Sequence, residues 1–533
     1  MLDNNVNTYY KPLAELSKLY GIQLAYVDVS KQRRQAPLET LLATLRSLGA
    51  PLEKPEHAAD AIREKRDRIW RQCCEPVLVA WEGKLPAVKL NFAAQHIPGS
   101  IKWHLHLESG EELSWVCSAN DFTEINSAVV NSVQYITKAF PLGYNLPPGY
   151  HQLRIDLGNS ICSVLVISAP KKAFKGNGSN QPYWGVFMPL YALRTRGSWG
   201  GGDFADLDAL LEWVHGLGGR FVGTLPLLAT FFQDTRDLSP YFPASRLFWS
   251  EVYLDMRRIL QEEKNPALAQ LVKSPGFSQH LQALQAAALV DYRSQVQLKR
   301  SVLQHLATSS CMQQGTAPAE YYQYLQNNPR VEDYAEFRSA GEKLQAAWQY
   351  WPAPQKDGVL NPSDYNEGVK QYYLYAQWLL ESQLKALTEK ARKRDMRLYF
   401  DLPLGVSPQS YDVWRERESF ISGISAGAPP DGFFTKGQQW ELSPLHPQGL
   451  RRRGYKYYIE CLRHNFKYAG ILRIDHIMAF HRLYVIPDGF EATQGAYIRY
   501  QPDEFYAIVT LESHRASCLV LGEDLGTVPT EVR

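Results

Sequence analysis

The chain has 533 residues, 45% hydrophobic and 21% charged, a globular composition that excludes a disordered, collagen-like or membrane-embedded class. One hydrophobic core stops growing at roughly 250–300 residues, so two or three domains are expected. Lys and Arg (57) nearly balance Asp and Glu (55), leaving a net charge of +2, too weak a field to recruit nucleic acid or an anionic membrane; a neutral partner fits.

The N-terminus MLDNNVNTYY is polar and no run of 18 apolar residues occurs, so no leader or membrane span is expected. The seven cysteines, Cys73, Cys74, Cys117, Cys162, Cys311, Cys461 and Cys518, show no CxxC spacing. Neither a zinc site nor a disulfide framework is expected, and a reducing cytoplasm is the simplest compartment.

Residues 1–83 carry helix-period apolar positions, as in PLETLLATLRSLGAP and AADAIREKRDRIWRQ, closed by Gly and Pro, which predicts a small helical unit. Over 84–170 the texture changes to short alternating segments (AVKLNF, IKWHLHLE, YHQLRIDL, CSVLVIS) separated by turn residues. That pattern predicts a β-sandwich, which either binds carbohydrate or acts as a spacer. After a linker-like KKAFKGNGSNQP, residues 171–533 alternate apolar runs with helical patterns, which predicts α/β architecture with a parallel sheet. The runs are YWGVFMPLYAL, GGRFVGTLPLL, MRLYFDLPLGV, AGILRIDHI and ASCLVLGEDLG. A stretch rich in Gln, Ala, Leu and Tyr at about 251–393 is too long for a plain loop and reads as a helical insertion.

Each run ends in polar or charged residues, where barrel enzymes gather their catalytic groups. Asp475 follows GILRI and Glu523 follows CLVLG, so both would project from one rim into one pocket. Two carboxyls so placed suit cleavage of a glycosidic bond, one protonating the leaving oxygen and one acting as nucleophile or activating water. Strand-end acids also cap helices, so the pair alone leaves a structural reading open. Arg473, two residues before Asp475, shares its side of the strand and is expected to hold that carboxylate ionised, whereas Glu523 is expected to be desolvated and protonated. His476 and Asp401 suit either a substrate contact or a supporting one. Trp440, in FFTKGQQWELSPLHP, is expected in a loop as a stacking platform. The 13 Trp, 31 Tyr and 21 Phe serve core packing or sugar stacking, and composition alone does not separate the two.

RIDH at 473–476, followed by RLYVIPDG, GAYIRY and GEDLGTVP at 522–529, resembles the 4-α-glucanotransferases of the amylomaltase or disproportionating type, glycoside hydrolase family 77. SWGGGDFADL, SPYFPASRLFW, FDLPLGVSPQSYDVW and GQQWELSPLHP match in the same order. The resemblance implies a (β/α)8 TIM-type barrel, with Asp475 as nucleophile, Glu523 as general acid/base, and Arg473, His476 and Asp524 on the donor sugar. It further implies that Tyr241, Gln438 and Trp440 line donor and acceptor subsites and that Asp401 belongs to a third-strand motif. Donor and acceptor would be malto-oligosaccharides, with no metal or organic cofactor.

Three departures stand out. Glu441 occupies the place where the family usually has Gly. The second run reads GTLPLLATF where many members have a histidine. The family's third carboxylate and three further strands would lie beyond Arg533, so the resemblance implies a C-terminally truncated barrel of about five strands. An α-glucan hydrolase using the same acids and a non-catalytic glucan-binding protein remain as alternative readings.

Overall fold

The computed structural model describes residues 2–176, 183–232, 238–262, 265–311 and 317–533, so part of the KKAFKGNGSNQP linker lies outside the described residues. Three helices, Leu2–Leu19, Leu38–Ser47 and Ala58–Arg71, occupy the N-terminal stretch. Their helix-period residues Leu13, Leu16, Leu41, Leu45 and Ala61 are buried. A short hairpin of Ala25–Val27 and Arg33–Gln35, invisible to the helix-period reading, is set between the first two.

Two antiparallel-rich sheets follow. The first runs Val77–Trp81, Ile161–Ala169, Gly149–Asp156, Ile101–His106, Glu112–Cys117; the second runs Val88–Ala93, Val133–Phe140, Glu124–Val130. They bury one shared core around Leu90, Trp103, Leu105, Phe140, Leu153 and Val164. Period-2 alternation drives this: Val88–Ala93 and Ile101–His106 each bury every second residue.

The cysteine expectation is corrected here. Cys73 and Cys162 form a disulfide across 89 residues, joining the end of the third helix to a sheet strand, with Cα atoms 6.6 Å apart. Sequence spacing carries no signal for a bond that depends on how a helix end meets a strand. The pairing also removes the argument from cysteine usage for a reducing compartment. The sulfur of Cys74 lies within 4.8 Å of both, and burial pushes its thiol up to about 12.

Five parallel strands lie side by side in chain order: β1 Gly185–Phe187, β2 Phe221–Gly223, β3 Arg397–Leu402, β4 Ile471–Ile474 and β5 Leu519–Gly522. Each falls within one of the five apolar runs. Leu398, Phe400, Leu402, Leu472 and Ile474 are buried, as expected of a parallel sheet covered by helices. Helices Phe204–Gly216, Lys456–Phe466 and Pro502–Ala516 fill the crossovers. The first is capped by Asp203, whose carboxylate accepts from the N–H groups of Ala205 and Asp206. Between β2 and β3, among the described residues, an irregular loop runs to Ser250, and the chain from Glu251 to Lys393 is mainly helical. The last of these helices, Glu367–Lys393, doubles as the return helix to β3 and buries Leu380, Leu384 and Leu387. No helix of the described residues is long and apolar enough to cross a membrane.

A second, antiparallel sheet had no counterpart in the sequence reading. Its order is Ile22–Gln23, Ala496–Arg499, Arg482–Pro487, Ile424–Ala428, Gln438–Leu442. Trp440 therefore sits on a strand, not in the expected loop. The pairing of the last two strands is irregular: Ala426 faces Leu442 while Gly427 faces Gln439, so Trp440 and Glu441 form a bulge. Glu441 takes φ +57 there, the left-handed region.

Candidate active site

Register explains the first cluster. Asp401 of β3 lies opposite Arg473 of β4, so both side chains leave the sheet on the same side. Arg473 Nη1 donates to Asp401 Oδ1 and Oδ2 at 2.7 and 2.8 Å. Asp475, two residues on, shares that side and meets the same nitrogen at 2.9 Å. Leu521 of β5 lies opposite Arg473, so Glu523, two residues beyond it, comes level with Asp475. Tyr241 closes the far side, donating its hydroxyl to Asp401 Oδ2 at 2.6 Å.

Asp401 is 1% exposed. Burial raises its pKa, while the Tyr241 hydroxyl and the Arg473 guanidinium oppose the rise. Asp475 departs from expectation. Its pairing with Arg473 is present, but burial prevails and pushes its pKa up to about 6, with Asp401 and Glu523 adding negative charge nearby. The group is still mainly ionised at pH 7. Glu523 departs as well: it is half-exposed, and its oxygens accept the N–H groups of His476 at 2.9 Å and Leu525 at 2.8 Å. Burial on its own therefore does not divide the two carboxylates as the sequence suggested, because it depends on elements brought in from elsewhere in the chain.

His476 adopts φ +50 directly after Asp475, which turns its N–H toward Glu523. Burial lowers its ring to about 4, so the imidazole is neutral at pH 7. The Trp440 ring meets it edge-on at 5.2 Å, and Trp440 Nε1 donates to Gln438 Oε1 at 3.4 Å. Tyr241, Gln438, Trp440, Arg473, Asp475, His476 and Glu523 all line one cleft of about 1060 Å³. That is large for a single sugar and suits a short chain of them. Asp401 lies behind Tyr241 and Arg473. Asp524 stands apart: it pairs with Arg533 at 3.0 Å and does not line the cleft.

The sequence reading missed several walls. Phe433, 95% exposed, and Phe434 stand at the rim on a turn held by Asp431, whose Oδ1 accepts both their N–H groups. Two adjacent aromatics in a Gly- and Asp-containing polar segment were the available signal. Tyr484 and Tyr497 come from the antiparallel sheet and Val29 from the N-terminal region. No local pattern marks these.

Acids level with one another at the C-terminal ends of adjacent parallel strands, in a cleft walled by aromatics, are an arrangement suited to work on glycosidic bonds with paired carboxylates. Comparison with known proteins narrows this. The family model described as 4-alpha-glucanotransferase matches residues 188–533, and that described as MalQ N-terminal beta sandwich domain matches residues 74–170. A 4-alpha-glucanotransferase of Mycobacterium bovis is 30% identical over 543 residues, covering 98% of this chain and 73% of that protein. One from Haemophilus influenzae is 34% identical over 412 residues, covering 73% and 58%. The crystal structure of amylomaltase from Corynebacterium glutamicum matches with TM-score 0.81 at 24% identity, over 98% of this chain and 73% of that one. Amylomaltase from Streptococcus agalactiae in complex with acarbose gives TM-score 0.55 at 23% identity, over 65% and 70%. The chain belongs to the 4-alpha-glucanotransferase family.

Proposed function

We propose that this chain transfers α-1,4-glucan segments between malto-oligosaccharides by a retaining double displacement in the cleft of Asp475 and Glu523. The carrying observation is that both carboxylates reach that cleft from adjacent parallel strands. Protonated Glu523 gives its proton to the leaving glucan oxygen as the C1–O bond breaks and an Asp475 oxygen bonds to C1. Glu523, now a carboxylate, takes the proton of an acceptor 4-hydroxyl as that oxygen attacks C1 and releases Asp475.

Two contacts support this division of roles. Asp475 Oδ1 is held by Arg473 while Oδ2 has no hydrogen-bond partner among the described residues, which leaves a lone pair for C1. Glu523 has both oxygens oriented by backbone N–H groups, which fixes the carboxyl level with Asp475. Arg473 Nη1 also donates to both oxygens of Asp401, which holds the guanidinium beside Asp475. His476, Tyr241, Gln438 and Trp440 serve as sugar contacts, and Asp401 as the residue that positions Arg473 and Tyr241. No step calls on a metal or organic cofactor.

We read the five-stranded sheet as an arc of a (β/α)8 barrel, because β1 and β5 each have a free edge among the described residues. By the same reading 1–83 forms a helical unit, 84–170 a β-sandwich, and 171–533 the catalytic region with its insertion at about 251–393. Incubation with maltotriose tests the function. Transfer redistributes chain lengths and releases glucose while total reducing ends stay constant. A rise in reducing ends shows hydrolysis instead, and binding of maltodextrin with neither change shows a non-catalytic glucan-binding protein.

A further inference from the structure

Glu441 sits where the backbone calls for glycine. Its φ of +57 is left-handed, a conformation that costs any residue with a Cβ free energy that glycine does not spend. The same hairpin does place glycine where the chain turns left-handed just before the strand, at Gly437 with φ +75. A strained side chain at a cleft is an observation that asks for a function.

The register between the two strands breaks at this point, skipping from Gln439 to Leu442. Trp440 and Glu441 line the cleft there, together with Gln438, Gln439 and Leu442. An aromatic ring and a carboxylate side by side form a sugar site: the ring takes the apolar face of a hexose, and the carboxylate accepts from its hydroxyls.

The side of the scissile bond follows from the neighbours. Trp440 lies 5.2 Å from the His476 ring, and the His476 N–H donates to Glu523. The leaving oxygen and the incoming hydroxyl both meet Glu523, so a sugar on Trp440 lies on the leaving-group and acceptor side.

We propose that Glu441 is a specificity-determining residue of the acceptor site, hydrogen-bonding the hydroxyls of the glucose unit seated on Trp440; this rests on the transferase reading above. It adds negative charge to a rim whose lining already holds Asp431, Asp475 and Glu523 against Arg473. The assigned ligand is an uncharged sugar, and a phosphorylated one is disfavoured.

The test compares Glu441→Gly and Glu441→Gln with the parent protein in two assays. The first is transfer from maltotriose to varied glucose. The second is fluoride release from α-maltosyl fluoride, whose leaving group needs no sugar on the acceptor side. Loss of a charged hydrogen-bonding group should raise the KM for glucose about tenfold in Glu441→Gly and about threefold in Glu441→Gln. Fluoride release should change far less, and Glu441→Gly should melt no lower than the parent because glycine suits the backbone. A glucose KM within about twofold of the parent in Glu441→Gly overturns the assignment. Failure of the transferase reading is distinguishable, since the parent protein would then build no longer glucan before any substitution is made, releasing fluoride to water if it is a hydrolase and none if it only binds glucan.

Discussion

Asp475→Asn should lower glucan transfer by at least about 10⁴-fold and yet raise the melting temperature at pH 7. In the proposed double displacement the loss follows from removing the oxygen that bonds to C1, for which an amide is no substitute. The gain follows from burial, which lifts the carboxyl to about 6 and makes its ionised form costly to fold around. A carboxyl whose folded pKa lies above its unfolded value contributes stability below the unfolded pKa, near 4, and that contribution disappears as pH rises through the folded pKa, near 6. The parent protein therefore loses about 1–3 kcal/mol from this group between pH 4 and pH 7, and the asparagine variant does not. Arg473 is not orphaned by the change, because Asp401 keeps it in a two-oxygen contact. Melting curves at pH 4.5 and pH 7 check this: the variant's advantage should appear at pH 7 and shrink toward pH 4.5. A variant less stable than the parent at both pH values would contradict the burial argument. The same ionisation should give the parent an acidic limb in kcat/KM near pH 6.

Arg246→Ala should cost about 3–5 kcal/mol of stability. Arg246 is 1% exposed, and its Nη1 donates to the carbonyls of Pro403 and Leu404, directly after β3. Its Nε donates to the Tyr457 hydroxyl at 3.1 Å, which donates in turn to Asp412 Oδ2 at 2.6 Å. Asp412 is fully buried, also accepts from the Ser245 hydroxyl and the Arg246 N–H, and has its pKa raised by that burial. Alanine removes the buried cation of this network and leaves two carbonyls and a carboxylate without its charge. The damage falls on the chain segment that follows Asp401, so activity should decline as well. Urea unfolding followed by circular dichroism checks the size. A loss under about 1 kcal/mol would show that the buried network is not held together by its cation.

Much of the catalytic sheet was legible because parallel strands buried on both faces read as apolar runs bounded by polar residues. The rule that residues two apart share a side placed Arg473 and Asp475 together correctly. The antiparallel sheet was not legible. Arg482–Pro487 is buried at five of its six positions and so shows no alternation, and one edge is completed by Ile22–Gln23 from near the N-terminus. Trp440 was misplaced for the same reason, since a bulge inside a five-residue strand erases periodicity. The protonation of Asp475 depends first on its burial and then on Asp401 and Glu523 arriving from neighbouring strands, and local sequence shows only its neighbour Arg473. Cys73 and Cys162 were missed because their pairing is a tertiary contact. The family resemblance implied Asp524 on the donor sugar, but it lies past the end of β5, pairs with Arg533 and does not line the cleft.

Trapping the covalent intermediate addresses the mechanism head-on. Glu523→Gln incubated with α-maltosyl fluoride can still be glycosylated, because fluoride departs without a proton, but the glutamine cannot activate an acceptor for release. Intact-mass spectrometry should show one added maltosyl group per chain, and peptide mapping should place it on Asp475. A label on any other residue, or fluoride released with no covalent adduct formed, would contradict a double displacement through Asp475.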